Sequence, residues 1–272
     1  MTTASVPRAD APIGVFDSGI GGLSVLRALR AALPHDDFVY FADSAHAPYG
    51  ERDDAHVQAR SRAVLAELQA AHGIKAFVIA CNTATAAAAE ALRAAHPDQV
   101  IVGIEPALKP ALTLTRTGRI GVLATRGTLA SPKFRALHHG LATRAEFVLQ
   151  PCDGLANAIE KEAACADGTS ARALIDQYLS ALGPLGADPG AIDTLVLGCT
   201  HYQLARQHLL ASLAGRAVTL VDAADAVASH ARTRLAEAGL ARPAVDRAPG
   251  AVRLCASGAD AALHAAAARW LP

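Results

Sequence analysis

Nine short, mostly apolar runs punctuate the chain: Ile13–Phe16, Phe38–Ala42, Ala76–Ala80, Val100–Ile104, Arg119–Ala124, Ala145–Leu149, Thr194–Leu197, Val218–Val221 and Val252–Ala256. They are continuous rather than alternating, which is the pattern of parallel strands buried on both faces. Longer stretches with helical spacing separate them at Ser24–Leu33, Asp54–His72, Thr83–His96, Leu129–Leu141, Ser170–Leu182, Tyr202–Leu213 and Ala224–Gly239. This alternation predicts an α/β fold with helices on both faces of the sheets.

Two of the strand patterns recur. IGVFDSG begins at Ile13 and IGVLATRG at Ile120; AFVIACNT begins at Ala76 and TLVLGCTH at Thr194. The same order at similar offsets of 107 and 118 residues points to a duplicated α/β unit, hence two lobes facing each other across a cleft. Ligands of open α/β sheets bind beyond the carboxyl ends of strands. Asp17, Asp43, Cys81, Thr125 and Cys199 all fall at such ends, so the chemistry is expected in one cleft with one cysteine from each lobe.

Composition narrows the classes. The 272 residues suffice for one large or two small domains, and 52% hydrophobic with 18% charged residues describes a globular chain. Formal net charge is zero, where nucleic-acid proteins usually show a basic surplus, so no nucleic acid is expected as partner. No run of about 18 apolar residues suggests a membrane span. MTTASVPRADAPIG at the start holds no apolar signal-peptide core, so a cytoplasmic location is expected. Five cysteines at 81, 152, 165, 199 and 255, odd in number and without a C-x-x-C, do not form a disulfide framework.

A free cysteine is ordinarily a small buried hydrophobe, and Cys152, Cys165 and Cys255 are read that way. Cys81 and Cys199 differ because they occupy equivalent turns of the repeat, each just before an expected helix. Unpaired N–H groups and the positive end of a helix favour a thiolate there. His201, two residues after Cys199, suits an acid/base partner, though it could equally be a histidine held by backbone. Thr83 and Thr200 can bind a carboxylate at helix starts or act as plain caps. Asp17, followed by Ser18-Gly19-Ile20-Gly21-Gly22, suits an ammonium ion better than a pyrophosphate, and Ser24 stands where a dinucleotide fingerprint needs glycine. Asp43-Ser44 through Pro48-Tyr49-Gly50 reads as a turn-rich loop whose Tyr49 can hydrogen-bond a ligand.

Two opposed thiols with groups for a carboxylate and an ammonium suggest a two-base racemase: a thiolate removes a proton from one face of a carbon and a thiol returns one on the other. Pyridoxal phosphate would need a Schiff-base lysine. The only lysines are Lys75, Lys109, Lys133 and Lys161, none of them ending an expected strand beside a glycine-rich phosphate site. A cofactor-free route is therefore expected.

FDSGIGGLSV (Phe16–Val25), Pro48-Tyr49-Gly50, CNTAT (Cys81–Thr85), GVLAT (Gly121–Thr125) and LGCTHY (Leu197–Tyr202) resemble the glutamate racemases, within the cofactor-independent aspartate/glutamate racemase superfamily. The resemblance runs from about Ile13 to Asp222. It implies two pseudo-symmetric doubly wound lobes, flavodoxin- or Rossmann-like, with mostly parallel sheets and the active site between them. Lobe 1 would comprise 11–101 and 215–272, and lobe 2 the inserted 102–214. It also implies L-/D-glutamate as substrate, D-glutamate supply for peptidoglycan, no cofactor and no metal. Cys81 and Cys199 match the catalytic thiols, and Asp17 and His201 the charged residues assisting them. Asp17, Ser18, Tyr49, Gly50, Asn82, Thr83, Thr200 and His201 match substrate-contacting positions, with Asp43, Ser44, Thr125 and Glu160 expected behind them. By analogy Cys81 would serve D-glutamate and Cys199 L-glutamate. Members are often dimers, so a homodimer is an expectation of the same kind.

The chain departs from the family at Gln203, where many relatives carry proline, and over Pro151-Cys152-Asp153-Gly154 toward Glu160. The Ala-rich tail after Leu240 is expected to add a strand and a helix to the first lobe, and its sequence carries no functional signal. Competing readings are an aspartate racemase, a metal-binding or regulatory protein using Cys81, Cys199 and His201 as ligands that could hold zinc, and a pure amino-acid binding module.

Overall fold

A computed structural model describes residues 8–164, 169–242 and 248–271. In chain order the elements are β1 (Ile13–Asp17), α1 (Leu23–Ala32), β2 (Phe38–Ala42), α2 (Asp54–His72), β3 (Ala76–Ile79), α3 (Asn82–Ala95), β4 (Val100–Gly103), α4 (Leu108–Leu114), β5 (Arg119–Ala124), α5 (Arg126–Ala130), α6 (Pro132–His139), β6 (Glu146–Pro151), α7 (Leu155–Ala164), α8 (Thr169–Ala181), β7 (Thr194–Leu197), α9 (Thr200–Leu204), α10 (Arg206–Leu213), β8 (Thr219–Val221), α11 (Ala224–Glu237), β9 (Val252–Ala256) and α12 (Asp260–Trp270). Short 3-10 turns at Ser44–His46 and Tyr49–Glu51 shape the loop after β2.

The strands form two sheets, ordered β4-β3-β1-β2-β9 and β6-β5-β7-β8, and every pairing between named strands is parallel. The continuous apolar runs are the cause. β1, β2, β3 and β7 are buried at every position, as strands covered on both faces must be. The outermost β6 and β9 are only partly buried. Both sheets follow one plan: β1 leads to β2 on one side and lies against β3 on the other, just as β5 leads to β6 and lies against β7. The strand order therefore reverses between β1 and β3 and again between β5 and β7. Such switch points open a crevice at the strand carboxyl ends. The recurring segments IGVFDSG and IGVLATRG are β1 and β5, and AFVIACNT and TLVLGCTH enter through β3 and β7.

Some boundaries differ from expectation. The stretch Leu129–Leu141 is two helices, because Ser131 is extended, caps the Phe134 amide with its Oγ at 3.1 Å, and is followed by Pro132 at the first position of α6. The stretch from Tyr202 begins at Thr200 and is interrupted at Ala205 (φ −93°, ψ 15°). α4 contains Pro110 and α7 follows a Pro-Cys-Asp-Gly turn, so both escaped the periodicity reading.

The expected crossings at 102 and 214 also differ from the sheets. β4 stays in the first sheet through Gly103, and β8, placed in lobe 1 by that division, pairs with β7 in the second. The chain returns only after Val221, where α11 packs on α1. The tail supplies β9 beside β2 and α12, as expected. Cys165 lies outside the described residues.

Candidate active site

β1 ends in Asp17, which is fully buried. Its Oδ1 accepts the Ser18 amide at 2.7 Å and its Oδ2 accepts the Gly22 amide, so the glycine-rich turn wraps around the carboxylate. The Thr200 hydroxyl reaches the same Oδ2 from the other lobe at 3.3 Å. Burial raises the Asp17 carboxyl to about 6 even against the nearby His201 charge and these amides. Gly21 is required by close approach: a Cβ there would collide with the His201 ring and meet the Thr200 Oγ1 at 2.8 Å.

β3 delivers Cys81 to the cap of α3, where its sulfur accepts the Ala84 amide at 3.5 Å and lies 3.8 Å from the Ser18 hydroxyl. Burial and then the Asp17 charge raise the Cys81 thiol well above its ordinary value. The helix cap also acts on it, but in the resting site it loses to desolvation, so Cys81 is held as the neutral thiol.

In the second lobe β7 delivers Cys199 to the start of α9. The His201 Nδ1 lies 3.9 Å from the Cys199 sulfur, and its Nε2 lies 2.6 Å from Oε2 of Glu160 on α7. That carboxylate oxygen also accepts the Ile20 amide from the first lobe at 3.1 Å. Burial works against a charged imidazole, but the contacts with Cys199 and Glu160 outweigh it and hold His201 well above its ordinary value. Glu160 is held below its own ordinary value, its burial outweighed by the His201 pair. The two therefore form an imidazolium–carboxylate pair, and Nδ1–H is a donor toward the Cys199 sulfur.

Cys81 and Cys199 line one cavity of about 440 Å³ between the lobes. Of the expected residues, Ser18, Ser44, Tyr49, Gly50, Asn82 and Thr83 line it from the first lobe, and Thr125, Glu160, Thr200 and His201 from the second. The buried Asn82 Oδ1 and Ser44 Oγ have no hydrogen-bond partner among the described residues, so both can serve a ligand. Asp17 and Asp43 do not line the cavity and sit behind residues that do. The Tyr49 hydroxyl was expected to reach a ligand; it instead donates to Asp43 Oδ2 at 2.6 Å. Arg60 clamps the same carboxylate with two bonds of 2.9 Å, and against its burial these partners lower Asp43 to about 2. Thr83 also has a nearer partner than a ligand: its hydroxyl lies 3.0 Å from Thr125 Oγ1, which donates to Thr128 Oγ1 at 2.9 Å.

Several cavity residues escaped the sequence reading, among them Glu51, Arg126 and Asp153. Cys152, treated as packing, lines the wall. Asn157 and Lys161, four apart on α7, face the cavity together. Gly258, Ala259 and Ala262 place the tail at the cavity, where its sequence had carried no functional signal. The only signal for Asn157 and Lys161 was helical spacing around Glu160. Among the described residues, no group of three or more His, Cys, Asp or Glu side chains is arranged to hold a metal ion. Among them, too, no helix is long and apolar enough to cross a membrane.

The family model for Asp/Glu/Hydantoin racemase matches residues 20–231, a span that holds both thiols. The chain belongs to this racemase family. A glutamate racemase of Stutzerimonas stutzeri is 47% identical over 227 residues, covering 84% of this chain and 83% of that protein. Among solved structures, a glutamate racemase isoform of Bacillus anthracis superposes with a TM-score of 0.82 at 32% identity, covering 97% of this chain and 95% of that one. The Escherichia coli glutamate racemase, solved with L-glutamate and the activator UDP-MurNAc-ala, gives 0.80 at 29% identity, covering 96% and 95%. Racemase chemistry and the two-lobed α/β architecture read from the sequence both agree with these relatives.

Proposed function

We propose that this protein interconverts L- and D-glutamate by passing the Cα proton between two thiols without a cofactor. The observation that carries the reading is the placement of Cys81 and Cys199 at equivalent turns after β3 and β7, on opposite walls of one cavity. One cysteine, as thiolate, takes the Cα proton and becomes a thiol. The other, as thiol, gives its proton to the opposite face of the carbon and becomes a thiolate. The product is inverted, and the two cysteines have exchanged protonation states. Such a carbon acid is very weak, so preorganised charge must stabilise the carbanionic transition state.

The neighbours are suited to these roles. The His201 imidazolium can hydrogen-bond a Cys199 thiolate, while Asp17 beside Cys81 disfavours a second anion there until substrate arrives. Asn82 and Ser44 offer unpaired groups to the substrate. The product would feed peptidoglycan precursor synthesis, in the cytosol, where thiols stay reduced. A homodimer is the assembly proposed on the family resemblance.

Incubating the reduced protein with D-glutamate in deuterium oxide tests the reading. L-glutamate carrying deuterium at Cα should form with no added cofactor, while D-aspartate tested alongside should react far more slowly. Folded protein that gives neither inversion nor exchange would sink it.

A further inference from the structure

Among the charged side chains lining the cavity, most are already paired. His201 holds Glu160, and Arg126 pairs with Asp153 at the rim. Glu51 accepts the Gly154 amide at 3.3 Å. Glu51 has no ion pair among the described residues, and of the lining cations Lys161 is the one without a partner: it is exposed and has no hydrogen bond or ion pair to any described residue. One turn before it on the same face, Asn157 also lines the cavity without a polar partner among the described residues. α7 fixes both, because Glu160 anchors this helix to His201 and to the Ile20 amide of the other lobe. A lone ammonium beside an amide, with no carboxylate paired to it, offers a local receptor for an anionic ligand at the cavity.

We infer that Lys161, with Asn157 beside it, is the substrate-capturing residue that favours dicarboxylic amino acids at the mouth of the cavity. The inference rests on the glutamate reading above and adds to it a determinant of substrate class. Glutamate carries one net negative charge at neutral pH, and an amino acid with an uncharged side chain carries none. Lys161 therefore attracts the former during approach and in the bound state, without touching the proton transfer between the thiols. Its contribution belongs in KM, and because it is exposed it must fade as salt screens it.

The test uses the full chain with Lys161→Glu, Lys161→Met and Lys161→Arg, with glutamate as the probe, at low ionic strength and near 1 M salt. At low salt, Lys161→Glu should raise KM for glutamate by about 5- to 20-fold and Lys161→Met by roughly half that factor. Lys161→Arg should stay within about twofold of the parent, and kcat should hold in all three. Near 1 M salt, where the screening length is about 3 Å, the differences should collapse. Unchanged KM in both Lys161→Glu and Lys161→Met at low salt overturns the inference. So does a KM rise that persists undiminished at high salt, or a loss confined to kcat. If the parent protein does not racemise glutamate at all, it is the functional reading that fails, a result distinguishable from any of these.

Discussion

One carboxylate oxygen, Oε2 of Glu160, lies 2.6 Å from the Nε2 of His201 and accepts the Ile20 amide of the opposite lobe at 3.1 Å. A single side chain thus keeps a proton on the imidazole and ties that imidazole's helix to the facing lobe. Converting Glu160 to Gln keeps much of the shape and removes the charge. His201 then loses its proton at lower pH, because an anion that stabilised the cation is gone. The expected result is a fall in kcat of about 10- to 100-fold, typical of residues that orient a reactive group. The alkaline limb of the kcat–pH profile should move to lower pH. A pH–rate profile decides it, and an unmoved limb would reduce Glu160 to a structural tie.

The two thiols should be separable from the third. Cys81→Ala and Cys199→Ala each remove one of the two proton carriers, so inversion should drop by about 10³-fold or greater. Cys152 shares the cavity but lacks a helix-cap position; its sulfur is directed to the Gln150 carbonyl at 3.4 Å. Cys152→Ala should leave kcat within a few-fold. Circular dichroism of inversion measures all three. Full activity in either of the first two, or collapse in a folded Cys152 variant, would reverse the assignment.

Much of this molecule was legible in the sequence because local and global signals coincide. All nine strands appear where mostly apolar runs mark them, and the pattern is clearest in β1, β2, β3 and β7, which are covered on both faces and leave little room for a polar position. The repeated strand endings at Cys81 and Cys199 were legible for the same reason: a switch-point strand must end in small and polar residues. What remained hidden depends on tertiary partners. Nothing local shows that the Tyr49 proton goes to Asp43, because that bond depends on the fold of the loop between them and on Arg60. The cavity role of Asn157 and Lys161 needs the position of α7 against the first lobe. The late return of the chain, after β8, is set by a strand of only three residues, too short to assign to a sheet from its own pattern.

The lobes meet closely at Gly50. A Cβ there would lie 2.8 Å from both Cβ and Cγ2 of Thr125, far inside normal contact. Gly50→Ala should therefore hold the lobes apart. The clash falls between the lobes and not inside either core, so stability should drop by only about 1 kcal/mol, the low end of overpacking costs. KM should rise by about 10-fold, since groups on both lobes must close on one ligand. Denaturant melts beside steady-state kinetics distinguish this from a folding defect, which would reverse the balance.

Asp17 gives stability and activity opposite responses to pH. Its carboxyl is raised by burial from an ordinary 3.8 to about 6 in the folded protein. The folded state therefore binds the proton more tightly than the unfolded chain. As pH rises from about 4 to about 6, the folded protein gives up a stabilising proton that the unfolded chain has already lost. Stability should fall across that window by up to about 3 kcal/mol from this residue and stay low above it. Activity should move the other way if the carboxylate is the working form, climbing through an apparent value near 6. Asp17→Asn cannot titrate. It should flatten the stability change between pH 4 and 7 while lowering kcat by about 10²-fold or greater. Urea unfolding of both proteins at several pH values, with kcat taken in parallel, measures the two trends. A variant whose stability falls with pH as steeply as the parent's would show that another group carries the dependence.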